Sequence, residues 1–400
     1  CEYVEATGDV ALLDVESPFV QGRALEPGEA SHYDVFETTR TTASLHEHCV
    51  RALDCSLRLG AHGLPLMGGG DWNDGMDGGG EQGRGESVWL AFFLAHVLRR
   101  YAALAARRGE REQAERFSAH ARRLAQAIDA QAWDGHWYLR AYDDNGTALG
   151  AASGDECQID LLPQSWAVLS DVVDRERQRQ AVTAAMDRLV HEDDGVVQLF
   201  DPPFDKGPLQ PGYIKGYLPG TRENGGQYTH AAVWLGMALA RLGRHDDAWR
   251  LFDLINPASS AQTSAQVQNY RTEPYVVAAD VYWNPAHRGR GGWTWYTGSA
   301  GWLYRFGLQY ILGLQQRGDR LRIQPCMPSH WPSWEATWRL GQSRYEFSCT
   351  AVQSGSPAGA PAPEPVSVTL DGLAVTGNEI AFVDDGQVHR VEIRVRGAQT

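Results

Sequence analysis

Apolar residues recur at i, i+3, i+4 and i+7 in segment after segment as far as about residue 315, which confines the chain to a mainly helical architecture. "ESVWLAFFLAHVLRRYAALAARRG" carries this pattern and stops at Gly109. "EREQAERFSAHARRLAQAIDAQAW" follows, with Phe117, Ala121, Leu124 and Ile128 on one face and its charges on the other. "DRERQRQAVTAAMDRLV" is a third such segment, "THAAVWLGMALARLG" and "RHDDAWRLFDLINP" form a pair joined at Gly243, and "SAGWLYRFGLQYILGL" closes the series. Long Gly/Pro/aromatic loops separate them at 60–86, 196–228 and 257–298. Helix hairpins that carry long loops suggest a helical toroid, with paired helices in concentric rings and functional loops at one end. The first residues, "CEYVEATGDVALLD", read as a helix already under way and point to a piece of a longer polypeptide.

Beyond residue 316 the texture changes. "DRLRIQPCMP", "EATWRLG", "SRYEFSCTAV", "PVSVTLDGLAV" and "VHRVEIRVR" alternate polar and apolar residues over short runs, the pattern of a small antiparallel β unit. "SGSPAGAPAPEP" reads as a Pro/Ala-rich loop within it. The expected division is therefore a helical domain over 1–315 and a small β-sandwich-like domain over 316–400.

Three segments carry side chains suited to chemistry. The first is "GGGDWNDGMDGGGE". It lacks the Lys of a phosphate-cradling loop, and counted from Asp71 it fails the spacing of a calcium loop. Trp72 needs burial or a flat ligand, while Asp71 and Asp74, three apart, allow one acid to brace the loop and the other to face a cavity. The second, "GYIKGYLPGTRENGGQYTHAAVW", crowds Arg222, Glu223, Asn224, Gln227, Tyr228 and His230 before a helix, whose N-terminus favours anions. In the third, "GRGGWTWYTGSAGWLY", Thr297, Gly298 and Ser299 precede another helix, either as a simple N-cap or as a phosphate cup. "HEHCVRALDC" places His46, Glu47 and His48 on different helix faces and reads as a helix surface rather than a metal site.

Bulk properties narrow the partners. A net charge of -14 and a pI of about 5.4 leave no basic stripe for nucleic acid. The 14 Trp and 15 Tyr fill a core or stack on sugar rings. No stretch reads as long and apolar enough to span a bilayer, so no membrane contact is expected from this segment. The six cysteines are scattered, without a CxxC pair, which fits a reduced cytoplasmic setting and no metal.

Together, "HGLPLMGGGDWNDGM", "GRGESVWLAFFL", "GYIKGYLPGTRENGGQYTHAAVW", "EPYVVAADVY" and "GGWTWYTGSAGWLYR" resemble the glycoside hydrolase family 94 phosphorylases, above all the phosphorylase region of cyclic β-1,2-glucan synthases. The resemblance runs over nearly the whole chain. It implies an (α/α)6 toroid, here partial because its first helices are missing, followed by a small C-terminal antiparallel β domain. It also implies cleavage of a β-glucosidic bond by inorganic phosphate as co-substrate, with inversion to α-glucose 1-phosphate and no cofactor. An inverting hydrolase needs an acid and a base; with phosphate as nucleophile one acid suffices. By the family's motif that acid is Asp74. Trp72 faces the donor sugar, Asp71 orders the loop within the substrate-binding set, and Glu223 binds donor hydroxyls. Tyr217 and Arg222 look toward the acceptor sugar. His230, Thr297 and Gly298 hold phosphate. The partners implied are a β-glucan oligosaccharide and phosphate, and members of the family commonly form homodimers.

The resemblance also places an arginine- and aspartate-bearing motif upstream of "YVEATGD", so this chain alone is expected to be inactive, and its parent to be anchored in the inner membrane. Acid and extra glycine in "GMDGGGEQGRGES" suggest a loose loop. Two other functions compete. An inverting β-glucan hydrolase would use Glu81 or Glu86 as base, and a non-catalytic module would measure glucan length within a synthase.

Overall fold

The structure is a computed structural model that describes residues 1–26, 29, 32–295, 298–352 and 367–396. The opening helix is shorter than the sequence suggests. Helix α1, Glu2–Thr7, ends where Gly8 turns left-handed (φ 75°), a frequent helix stop. An antiparallel hairpin, Glu16–Gln21 with Glu37–Ser44, follows and was not legible, because both strands are largely exposed and lack an apolar face. Helix α2, Leu45–Ser56, is capped by Ser44, whose side chain accepts the Glu47 N–H. Its two histidines hold neighbours in place. His46 pairs with Glu110 at 2.8 Å and meets the Tyr101 hydroxyl at 2.7 Å, and His48 contacts the Ser17 carbonyl at 3.0 Å.

Three helix hairpins come next. Helices α3, Val88–Arg107, and α4, Arg111–Gln131, turn back on each other at Gly109 (φ 86°). Helices α5, Leu161–Ser170, and α6, Arg175–Leu189, form the second hairpin. Helices α7, Thr229–Leu242, and α8, His245–Ile255, form the third, broken at left-handed Gly243. α5 lies between α3 and α7, and each partner packs on its own hairpin mate. All ten residues of α5 are buried, so it has no polar face and no 3.6-residue signal to read. Its Pro163 sits in the first turn, where no helical N–H is required. Contrary to the sequence reading, α3 is long and apolar enough for a membrane span by length and mean hydropathy (1.3). Most of it is instead buried against α4 and α5. Its composition therefore reflects a core.

Short helix α9, Ser264–Tyr270, opens with a Thr263/Gln266 capping box. Helix α10, Ser299–Arg305, continues into one wide turn, Phe306–Ile311. Fully buried Phe306 fills the space left by Gly236 on α7, where an added Cβ would lie 2.4 Å from the ring, and it meets Phe252 of α8 edge-on at 5.5 Å.

The strands after Gly313 make a second core around Leu321, Ile323, Tyr345, Phe347, Val391 and Ile393. One sheet joins Leu314–Arg317, Arg320–Ile323 and Glu379–Ala381. The other has five strands and is mixed, which corrects the antiparallel expectation. Ser343–Val352 and Val388–Arg396 run parallel along nine residue pairs. The cause is topological: Val388–Arg396 inserts between Ser343–Val352 and Ser367–Leu370, and pairs antiparallel only with the latter. The Pro/Ala-rich "SGSPAGAPAPEP" lies outside the described residues.

The loops before α3, α5, α7 and α10 all approach helix N-termini, and the first three helices lie side by side. That arrangement gathers the chemistry-bearing loops. Because Phe306 locks the last helical turn onto α7 and α8, Phe306→Ala is expected to lower the unfolding free energy by about 3–5 kcal/mol, measured by urea denaturation.

Candidate active site

The "DWND" loop is fastened from below. Asp71 has a fully buried side chain, and both its oxygens receive Arg140 guanidinium N–H groups at 2.7 Å. One of them also accepts the Ser87 hydroxyl at 2.5 Å, and the other accepts the Asn73 N–H at 3.0 Å. Asp71 therefore orders the loop, and its carboxylate has no free face for a sugar. Arg140 is itself fully buried, and its Nε stands 3.2 Å from Asp160 Oδ2, in ion-pair contact but out of line for a hydrogen bond. The two acids respond in opposite ways. Burial would raise both, but the charge and paired hydrogen bonds of Arg140 hold Asp71 below the usual carboxylate range. For Asp160 burial prevails and pushes its carboxyl up to about 6.

Asn73 caps the 3₁₀ turn Asp74–Gly80, accepting the Gly75 N–H at 3.2 Å. The glycines are there for packing. At Gly78, whose N–H donates to the Pro211 carbonyl, an added Cβ would lie 3.0 Å from the facing backbone, and at Gly212 (φ 129°) it would collide with Asp77. The loop is also tied down rather than loose. Asp144 accepts the N–H groups of Gln82, Arg84 and Gly85 at 2.7–2.9 Å. Asp74 itself is exposed at the start of the turn, within hydrogen-bonding reach of the Tyr213 hydroxyl.

The polar residues of "RENGGQYTH" divide into two groups. Asn224 and Gln227 are buried fasteners. Asn224 bonds both backbone groups of Phe204 and the Tyr217 carbonyl, while Gln227 bonds Val197 and Thr229. The others face one region. Glu223 is mostly buried, and its Oε2 has no hydrogen-bond partner; burial chiefly, with Asp280 and Asp74 nearby, raises its carboxyl. Arg222, with a left-handed φ of 49°, stands 3.7 Å from Glu223 and lies over Tyr217 and Trp293 at 5.1 and 4.6 Å. Trp72 meets Tyr228, His230 and Trp234 at ring separations of 5.1, 5.5 and 5.4 Å. His230, in the first turn of α7, keeps a buried Nε2 without a partner, and desolvation lowers its imidazole to about 4. It is thus neutral near pH 7 and can present one N–H to an anion.

Asp280 lies in "EPYVVAADVY", where no neighbouring residue in the sequence marks it as part of a site. It pairs with Tyr228, two residues before His230, across the two-residue ladder Gln227–Tyr228 and Asp280–Val281. Only 3% exposed, it accepts the Trp293 N–H at 2.8 Å with Oδ1, while Oδ2 has no partner. Burial raises its carboxyl too. Tyr228, half-buried and beside Glu223 and Asp280, is pushed up to about 12, chiefly by desolvation. Glu223 and Asp280 thus share one region near Asp74, with Arg222 the cation among the groups that shift them. An isolated acid in a sequence window gives no hint of such spatial pairing.

Thr297 lies outside the described residues. Gly298 is exposed at the start of α10, with open space around its Cα. The two bases of the hydrolase reading sit in different settings. Buried Glu86 accepts the N–H groups of His62 and Leu64 at 3.0 Å and pairs with His62 Nδ1 at 2.5 Å, while Glu81 is an exposed loop residue.

Residues 2–313, which carry every one of these groups, match the glycosyl hydrolase 94 superfamily, catalytic domain. The chain belongs to this family. It is 46% identical over 357 residues to the cyclic beta-(1,2)-glucan synthase NdvB of Rhizobium meliloti, covering 89% of this chain and 13% of that protein. It is 32% identical over 364 residues to the 3-O-beta-D-glucopyranosyl-beta-D-glucuronide phosphorylase of Paenibacillus borealis, covering 90% of this chain and 46% of the relative. A GH78 family rhamnosidase of Bacillus sp. GL1 has a similar fold, with a TM-score of 0.50 at 17% identity over 100% of this chain and 33% of that one. The chain spans less than half the length of the curated relatives it matches.

The buried triad makes stability depend on pH in a stated direction. Asp160 is raised in the fold, so between about pH 4 and its folded value near 6 the native chain binds the extra proton and stability falls as pH rises. Asp71 is lowered, so its contribution is present above about pH 4 and is lost only as pH falls through its folded value. Asp160→Asn keeps an oxygen to cap α5, as Oδ1 now does for the Leu162 N–H. The variant is expected to remove that fall, a gain on the order of 2 kcal/mol relative to the native chain between about pH 4 and 7, measured by chemical denaturation.

Proposed function

We propose that this chain is part of the catalytic toroid of an inverting phosphorylase acting on β-linked gluco-oligosaccharides, with β-1,2-glucan as the substrate. The carrying observation is the gathering of Asp74, Glu223, Arg222, Trp72 and His230 from separate loops into one region. In this reading Asp74, at the exposed start of its turn, gives its proton to the glycosidic oxygen as the C1–O bond breaks. A phosphate oxygen attacks C1 from the opposite face, and α-glucose 1-phosphate leaves with the shortened glucan. Trp72 and Glu223, whose buried Oε2 has no hydrogen-bond partner, hold the donor glucosyl ring and its hydroxyls. The neutral His230 donates an N–H to phosphate, together with Thr297 and Gly298. Tyr217 and Arg222 border the acceptor. Residues outside this chain complete the phosphate site, so the isolated chain is inactive in this reading. The β-1,2 preference rests on the resemblance to the glucan synthase, whose own name carries that linkage. The hydrolase reading is weaker because Glu86, its better-placed base, is engaged in fastening the 60–66 turn.

The test uses the full polypeptide that contains this chain, given short β-1,2-gluco-oligosaccharides with and without phosphate. Phosphate-dependent α-glucose 1-phosphate is expected, with a fall of about 10²–10⁴-fold in Asp74→Asn. Free glucose without phosphate would make the protein a hydrolase. Product from cellobiose alone would keep the chemistry and change the linkage. A glucan-binding module would give neither product and be indifferent to the substitution.

A further inference from the structure

Two large aromatic rings stand in solvent next to the site, and neither is idle. Tyr275 is 72% and Trp295 68% exposed, yet the two meet edge-on, with centroids 6.2 Å apart at 72°. The Trp295 indole N–H donates to Glu273 Oε1 at 2.9 Å. Its backbone is left-handed (φ 65°), a conformation that a bulky residue keeps only where the surroundings impose it. The surroundings are visible. Ala279 donates to the Trp293 carbonyl at 2.6 Å, Gly292 to the Asp280 carbonyl at 2.8 Å, and Trp293 to Asp280 Oδ1 at 2.8 Å. The segment bearing Glu273 and Tyr275 is thus stitched to the one bearing Trp295. The two rings form a corner tied at its base by these bonds, with both rings exposed.

The same strand of chain leads back into the site. Trp293 lies under the Arg222 guanidinium at 4.6 Å, and Trp295 follows two residues later, so its Cα is at most about 7 Å farther on, roughly the reach of one or two pyranose rings. The charge beside the corner is negative. The bond from Trp295, first among its causes, holds the Glu273 carboxyl below its usual range, so near pH 7 it only accepts hydrogen bonds. A carboxylate on a chain of net charge -14 repels phosphate esters and nucleic acids and welcomes neutral hydrogen-bond donors. Flat apolar faces beside an acceptor-only group suit a neutral polyhydroxylated ring with its C–H face on the indole and its hydroxyls toward Glu273.

We propose that Glu273, Tyr275 and Trp295 form a separate subsite for the continuing β-glucan chain, on the leaving-group side beyond Arg222 and Tyr217. This rests on the reading of the site as a glucan phosphorylase. The subsite makes the protein prefer long chains over disaccharides without altering bond cleavage itself.

The test measures binding, so it does not depend on turnover. In the full polypeptide carrying Asp74→Asn, calorimetry compares a β-1,2-linked disaccharide with a hexasaccharide, with and without Trp295→Ala. The hexasaccharide-to-disaccharide affinity ratio is expected to fall about five- to tenfold in Trp295→Ala and to be largely restored in Trp295→Phe, which keeps the ring but not the N–H. An unchanged ratio overturns the subsite. So does a change in oligomeric mass with Trp295→Ala, which would assign the rings to a protein contact. A length-dependent ratio without phosphorolysis in the parent would keep the subsite and reject the phosphorolytic reading.

Discussion

One buried guanidinium organises the end of the molecule where the loops converge. Arg140 binds Asp71 with two parallel hydrogen bonds, stands 3.4 Å from the Ser87 hydroxyl, and pairs with Asp160. Each of those partners has a second task. Ser87 caps α3, Asp160 caps α5, and Asp71 sets the turn that presents Trp72 and Asp74. A buried ion pair is often no more stabilising than a well-packed apolar replacement, but breaking one leaves an uncompensated charge in a medium that cannot solvate it. The triad therefore acts chiefly by permitting a single arrangement of two helix starts and one loop. Burial first, and the neighbouring carboxylate of Asp71 after it, make Asp160 hold its proton more tightly.

The site above this anchor follows a similar economy. Asn224, Gln227 and Asp144 direct their polar atoms to backbone groups and, for Gln227, to the Thr229 hydroxyl, and so fasten the loops. Glu223, Asp280 and His230 each keep one buried polar atom without a hydrogen-bond partner, although that of Glu223 stands 3.7 Å from Arg222. Buried polar atoms without partners are costly in a closed core and are expected where a ligand completes the bonding. Their pKa shifts have a common cause, desolvation, which keeps His230 neutral and favours protonated forms of the acids. A site of this kind is poised for a ligand that brings hydroxyls and an anion together.

Much of this was legible in the chain. The helices 88–107, 111–131, 175–189 and 245–255 announce themselves by an apolar face, and 229–242 by an apolar run that stops at Gly243. The change to alternation near residue 316 matches the strands that begin at Leu314. What failed did so for physical reasons. α5 is buried on every side and so has no period, and the hairpin at 16–44 is exposed on both faces. α3 has the composition of a membrane span because a core helix is under the same pressure to be apolar. In the candidate site, the sequence marked the glycine-flanked acids and the helix-start histidine but not Asp280, whose importance lies in facing Tyr228 across a two-residue ladder.

By itself the sequence determined where helices start and stop, where strands take over, and which short segments concentrate acids, amides and aromatics, since propensity, capping and periodicity are local properties. Only the tertiary structure decided which of those groups are fasteners and which face a ligand. Asp71 and Asp74 are three residues apart and chemically identical, yet one is fully buried on Arg140 and the other is exposed beside Tyr213. The difference is set by a guanidinium that lies about seventy residues away along the chain and 2.7 Å away in space. Burial, charge pairing and the desolvation that shifts a proton are sums over such neighbours, and no local window contains them.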